Sequence, residues 1–207
     1  MSHPYPILQA IEERRTTNLF DPARGISDER IEELVRLATT APTSFNLQNW
    51  RFVAVRTPEQ KARLRALAWD QAKVSEAAVT FIVCGQLADH RTLPDRLAGA
   101  VEAGFMPAEM VPGWEGAAKS LYFEQPQRQR DEAVRSATFG AGVLIYAAHA
   151  MGLGSAPMIG FDAPAVAEAF ALAADEIPVL LLAIGYATPQ NWPRKPRRPL
   201  AQVLQLV

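Results

Sequence analysis

VTFIVCG, residues 79–85, is an apolar run without the alternation of a strand that has one wet face, and it predicts a strand buried on both sides. Two further runs read as strands. WRFVAV at 50–55 follows a polar loop, and PVLLLAIGY at 178–186 lies near the end of the chain. The segments around them carry helix signals. Ser27 is placed to cap a helix, Asp28 and Glu29 suit its positive end, and Ile31, Leu34, Val35 and Ala38 form its apolar stripe. That helix is expected to run to Ala41-Pro42. TPEQ at 57–60 has Thr at the cap, Pro in the first turn and Gln where a capping box wants it, and predicts a helix reaching Trp69. Pro6 opens an earlier helix with Ile7, Leu8 and Ile11 on one face. An Ala-rich helix is expected from about Asp131 to Gly152, and Asp162 caps a shorter one. GLGSAPMIGFD at 152–162 reads as a loop or short strand. Few strands separated by helices make a mixed α/β protein, with helices packed around a small sheet.

The 207 residues fit one domain over 1–207. An irregular excursion of short helices and loops is expected at about 86–130, and an arm at about 188–207. The arm is Pro-rich and ends in the apolar LAQVLQLV, which has no hairpin partner beside it; a sheet edge, such as one from a second copy, would suit it. With 49% hydrophobic and 21% charged residues the composition is globular, and a net charge of -1 argues against a surface built for nucleic acid or acidic membrane. Cys84 is the only cysteine, so no internal disulfide forms, and inside VTFIVC it reads as a small buried hydrophobe. MSHPYPIL carries no signal-peptide pattern, and no apolar stretch approaches the ~20 residues that span a bilayer. A cytoplasmic protein is expected.

The common catalytic sets are missing from the sequence. His3, His90 and His149 lie far apart and show no metal-ligand spacing, so no metal site is expected. There is no G-x-S-x-G elbow and no phosphate-cradling G-x-x-x-x-G-K-[ST] loop. Four separate patches of anion and amide chemistry remain. Arg14-Arg15-Thr16-Thr17-Asn18 brings two guanidiniums, hydroxyls and an amide to a helix end. Pro42-Thr43-Ser44-Phe45-Asn46-Leu47-Gln48 is a polar loop between helix and strand. Pro157-Met158-Ile159-Gly160 is a loop whose backbone can approach a flat ligand. Arg194-Lys195-Pro196-Arg197-Arg198-Pro199 sets four cations among prolines. Each patch also has a plain reading, as a helix end, a loop or a solvated basic run.

Taken together, in order, the patches resemble the nitroreductase family. RRTTNLF at 14–20 looks like that family's opening Arg-x-Ser-x-Arg/Lys-x-Phe. PTSFNLQNW at 42–50 is similar to its Pro-Ser-Ser-x-Asn-x-Gln-Pro-Trp, and GLGSAPMIGFD to its Gly-Leu-Gly before Pro-x-x-Gly-Phe-Asp. GYA at 185–187 with KPRRP at 195–199 resembles its closing motifs. Three departures are visible: Asn18 stands where Arg or Lys is usual, Asp70 where Asn is common, and Asn49 where Pro precedes Trp50.

The resemblance implies a nitroreductase-like fold with a small mixed or antiparallel sheet, and a homodimer that exchanges its C-terminal arms and shares its active sites. It implies bound FMN, with NAD(P)H as co-substrate, and a phosphate held by Arg14, Lys195 and Arg197. Arg15, Thr16, Asn18, Pro42, Thr43, Ser44, Asn46 and Pro157 to Gly160 would line the cofactor. Asp70 and Lys73 would meet the flavin pyrimidine, Lys73 supplying a cation that stabilises the reduced ring. Phe45 and the excursion aromatics Trp114, Tyr122 and Phe123 are expected to line the acceptor pocket, although packing alone would also account for the latter three. No side-chain acid or base is expected, because the flavin carries the hydride. The acceptor would be a nitroaromatic, a quinone or a similar small electron-poor molecule. A flavin-fragmenting, dehalogenating or ene-reducing relative, or a flavin binder without turnover, stays open.

Overall fold

In the computed structural model, which describes residues 6–207, the run at 79–85 becomes an inner strand of the sheet. His3 lies outside the described residues. Strand β2 (Val79–Gln86) pairs with β1 (Trp50–Val55) on one side and β4 (Glu176–Gly185) on the other, and β3 (Gly154–Met158) completes the order β1-β2-β4-β3. All three ladders are antiparallel. Side chains of β2 leave in alternate directions. Val79, Phe81 and Val83 enter a core with Leu34, Ala38, Ala137, Ala141 and Leu144, from α2 (Asp28–Ala38) and α7 (Pro126–Ala150). Ile82 and Cys84 enter a second core with Leu64, Val74 and Val166, from α3 (Pro58–Leu67), α4 (Ala72–Glu76) and α8 (Ala163–Ala169). Both faces of the strand are therefore apolar, because both are covered. Burial pushes the Cys84 thiol up to about 12, which leaves it an inert core side chain.

The expected caps form. Ser27 accepts the Arg30 N–H, Thr57 that of Gln60, and Asp162 that of Ala165. Boundaries differ for local reasons. The helix at 28 stops at Ala38, where Thr39 and Thr40 turn their hydroxyls back onto the Arg36 and Leu37 carbonyls. α3 stops at Leu67 because Trp69 and Asp70 adopt left-handed φ values of 53° and 54°. α7 begins five residues earlier than expected, at Pro126, whose ring is pre-set for a first turn. Its opening turns are polar and exposed, so no apolar period marks them.

The excursion is mostly helical. α5 (Leu93–Glu102) and α6 (Val111–Tyr122) close over a third core of Leu47, Ala88, Leu93, Leu97, Ala118 and Tyr122. At the other end the tail makes only a single 3-10 turn at Leu200–Gln202, and its edge pairing is not made within this chain. Leu200, Val203, Leu204 and Leu206 remain exposed, as do Ile7 and Ile11 on α1 (Pro6–Glu13).

α7 lies very low on the sheet. A Cβ on Gly85 would stand 2.2 Å from the Ala133 carbonyl oxygen, a backbone atom that cannot swing away. Gly85→Ala should therefore lower the unfolding free energy by about 1–3 kcal/mol or more. Urea unfolding checks this, and an unchanged midpoint would mean the helix does not sit so close.

Candidate functional site

Two patches that lie far apart in the sequence meet through one amide side chain. Asn191 is buried, and its Oδ1 accepts the backbone N–H groups of Asn18 at 2.6 Å and Leu19 at 3.0 Å. Its Nδ2 donates to the carbonyls of Leu19 and Thr188. The arm is thereby fastened to the segment after α1. Arg14, Thr16, Asn18, Trp192, Pro193, Arg194, Lys195 and Arg197 then line one cavity of about 140 Å³. No carboxylate among the described residues pairs with Arg14, Lys195 or Arg197. Cations gathered without acids repel one another, and an anion in the cavity relieves that.

The third patch adjoins the first. Thr16 bridges to Ser155 on β3, and the Thr17 N–H donates to the Ser155 carbonyl at 2.9 Å. Gly154 is small because Thr17 packs onto it: a Cβ there would meet Thr17 Oγ1 at 2.2 Å. Gly152, at φ +74°, releases the chain from α7. Of the loop and the short strand left open for 152–162, the strand forms at Gly154–Met158, so Pro157 and Met158 leave the loop in which the third patch was placed. They pair with Leu182 and Leu181 as the end of β3, and the Met158 side chain belongs to the core. Ile159 is 83% exposed. Gly160 sits beneath the Trp69 ring, which a Cβ would strike at 2.8 Å, and its carbonyl accepts from Gln71 Nε2. The strained Trp69–Asp70 turn therefore joins this corner. Asp70 is committed to Arg65 at 2.6 Å, while Lys73 has no acidic partner among the described residues. Burial pulls the Lys73 ammonium below its ordinary range.

The second patch is elsewhere. Residues 43–48 form a tight turn with Phe45, Asn46 and Gln48 at φ 52°, 57° and 47°, an unfavourable conformation for side-chain-bearing residues. Buried Leu47 anchors the turn, Thr43 Oγ1 accepts the Gln48 N–H, and Asn46 Nδ2 donates to the Arg96 carbonyl. Pro42 is exposed beside it. Phe45 makes edge contacts with Trp114 at 6.1 Å and Tyr122 at 6.3 Å. Tyr122 is only 3% exposed, its hydroxyl shared between Ser44 and Glu132. Phe123 turns away to pack on His90. The structure thus gathers Phe45, Trp114 and Tyr122 and separates Phe123 from them.

The sheet register shows how far apart the patches lie. Trp50, which follows the second patch, is opposite Gly85, and Gly85 is opposite Ile177 on β4. Ser155, beside Thr16, is opposite Ile184, seven residues further along that strand. The separation is roughly 23 Å along the strands and roughly 14 Å across them. Pro42 to Asn46 therefore occupy the opposite corner of the sheet from Arg14, Thr16, Asn18, Lys195 and Arg197. Arg15 faces a neighbouring cleft of about 310 Å³ that also includes His149.

Sequence reasoning missed Asn191, Trp69 and Glu132. An asparagine beside Trp-Pro in an arm otherwise rich in cations was the available signal for the first. Nothing local marked the other two.

A helix-covered four-stranded antiparallel sheet, with a cation-lined cavity where its arm meets the segment after α1, is the frame of an α/β protein. Residues 11–186 match the model of the nitroreductase family, and the chain belongs to that family. Protein DrgA of Synechocystis sp. is 37% identical over 179 residues, covering 86% of this chain and 83% of DrgA. The NADH dehydrogenase of Thermus thermophilus is 32% identical over 183 residues, covering 84% and 83%. A protein of Exiguobacterium sibiricum, solved in complex with FMN, superposes with a TM-score of 0.90 at 28% identity, over 100% of this chain and 99% of that one.

Removing the Asn191 amide strands two N–H groups and frees the arm. Asn191→Ala should cost about 1–3 kcal/mol per group left unpaired and speed proteolysis between residues 188 and 199. A digestion pattern like that of the unaltered protein would show that the prolines alone hold the arm.

Proposed function

We propose that this chain is an NAD(P)H-dependent oxidoreductase that holds FMN by its phosphate in the Arg14–Lys195–Arg197 cavity and reduces small electron-poor acceptors such as nitroaromatics and quinones. The observation that carries this is the cavity itself, where cations from both ends of the chain converge without an acid. A terminal phosphate dianion suits that donor set, since charge-assisted bonds offset its desolvation. Thr16 and Asn18 add polar groups, although Asn18 brings no charge. Bound there, FMN supplies the hydride chemistry between NAD(P)H and acceptor. The chain's own work is to bind and orient. Lys73, which has no acidic partner among the described residues, is left as a cation for the ring, because the Asp70 carboxylate is committed to Arg65. No side-chain acid or base is assigned a catalytic role.

The second patch enters through a partner. Pro42, Thr43, Ser44 and Asn46 lie too far from the cavity of their own chain, so we assign them to the site of the other subunit in a two-fold homodimer. The exposed apolar side chains of Ile7, Ile11, Leu204 and Leu206 supply surface for such a partner to bury. Phe45 and Trp114, already in contact, form the wall against which an acceptor stacks.

The purified protein should be yellow, release FMN on heating, bleach with NADH or NADPH and recover its colour on adding a quinone or nitroaromatic. Bleaching without such recovery would point to a binder or to a different acceptor. Lys195→Ala with Arg197→Ala removes two charge-assisted bonds of ~1.5–3 kcal/mol each, so FMN affinity should drop by about a hundredfold or more. Released cofactor running as FAD would overturn the assignment.

Mixed dimers test the shared site. A chain with Arg197→Ala, paired with one blocked by bulky changes at Thr43 and Ser44, should recover about half the activity, because one site then escapes both lesions. No recovery would place each site in one chain.

A further inference from the structure

Glu132 is a carboxylate near the start of α7 that is only 4% exposed, and nothing in the site described above uses it. It is surrounded by donors. Arg135 forms an ion pair with Oε2, Ser136 Oγ lies 3.2 Å from Oε1, and the Tyr122 hydroxyl lies 3.1 Å from Oε2. All three neighbours can donate, and a carboxylate accepts hydrogen bonds and donates none. The Tyr122 oxygen has a second neighbour, Ser44 Oγ, at 2.9 Å. Burial pushes the Tyr122 phenol above its ordinary range, so it keeps its one proton.

One proton between two neighbours fixes the direction of the chain. The phenol donates to the carboxylate, the stronger acceptor, and its lone pair is left for the Ser44 hydroxyl proton. Ser44 then has only lone pairs to offer on its outward side. The bond also ties Ser44 at the head of a turn whose next two residues are left-handed, and Tyr122 backs the Phe45 ring from the edge.

We propose that Glu132 is a positioning residue that acts through Tyr122: it holds the 43–47 turn in its strained form and presents Ser44 to the bound ligand solely as a hydrogen-bond acceptor. Resting on the FMN reading above, this assigns Ser44 to a ring N–H of the flavin and not to its carbonyl oxygens.

The experiment has two arms. In cofactor-free protein, Tyr122→Phe and Glu132→Ala should each speed amide exchange at Asn46 and Leu47 by about fivefold or more, since those N–H groups close the turn onto Thr43 and Ser44. Glu132→Gln keeps an acceptor oxygen and should stay near the unaltered rate. Unchanged exchange in both disruptive variants overturns the proposal, whether or not the protein binds FMN. In titrations of apoprotein with FMN, Tyr122→Phe and Ser44→Ala should each weaken binding by about tenfold, and the double variant by no more than either alone. Additive losses, or full affinity in Tyr122→Phe, would show that Ser44 does not act on the ligand through this relay. Faster exchange together with an unaltered protein that takes up no FMN would support the positioning role and refute the cofactor assignment instead. If Glu132→Ala fails to fold, Tyr122→Phe, which keeps the buried ring, carries both arms.

Discussion

The backbone contact between α7 and β2, where Ala133 lies against Gly85, sets the position of everything else in this molecule. A helix can approach a sheet this closely only if small residues face it. α7 offers Ala133, Ala137, Gly140 and Ala141, while Phe52 and Trp50 close around Gly140. The helix runs from Pro126 to Ala150, about 37 Å at the usual rise. Its first turns carry Glu132, next to the residue at the contact, and so fix where Tyr122 and the 43–48 turn lie. Its far end hands the chain through Gly152 to β3, beside Thr17 and the cation cavity. One packed interface therefore places two clusters at opposite corners of the sheet.

Each cluster holds unfavourable free energy that the surrounding fold offsets. At 43–48 the cost is backbone conformation: three residues sit in a region that costs of order 1–3 kcal/mol each. Buried Leu47, the Thr43 side chain and the Tyr122–Ser44 bond hold them there. At the arm the cost is charge, since Arg14, Lys195 and Arg197 share a cavity with no acid among the described residues. The four bonds of Asn191 keep the segments together despite that repulsion. A bound anion lowers the second cost directly, which is how a preformed site gains affinity without rearrangement. The same logic explains the exposed apolar faces of α1 and the tail, whose hydration cost a partner surface would remove.

Much of the fold was legible in the residues, because the signals concerned are local. Caps act over three residues, so Ser27, Thr57 and Asp162 marked helix starts that the structure contains. Strand burial shows as an unbroken apolar run, so 79–85 was recognisable as a strand covered on both sides. The cation clusters at 14–15 and 194–198 were visible as chemistry, and the order of the four patches led to the family. What tertiary structure alone decided were the pairings between distant segments. Asn18 and Asn191 stand 173 residues apart, and no periodicity links them. The β-pairing that draws Pro157 and Met158 out of a loop depends on β4, which forms only later in the chain. Tyr122 was expected at the acceptor pocket, with packing as the other reading, and the bond from its hydroxyl to Glu132 of α7 carried no local mark. Local pattern reports the free energy of a segment with its own neighbours. The partners a segment finally meets are chosen by the packing of the whole chain, and there the sequence has no short-range mark.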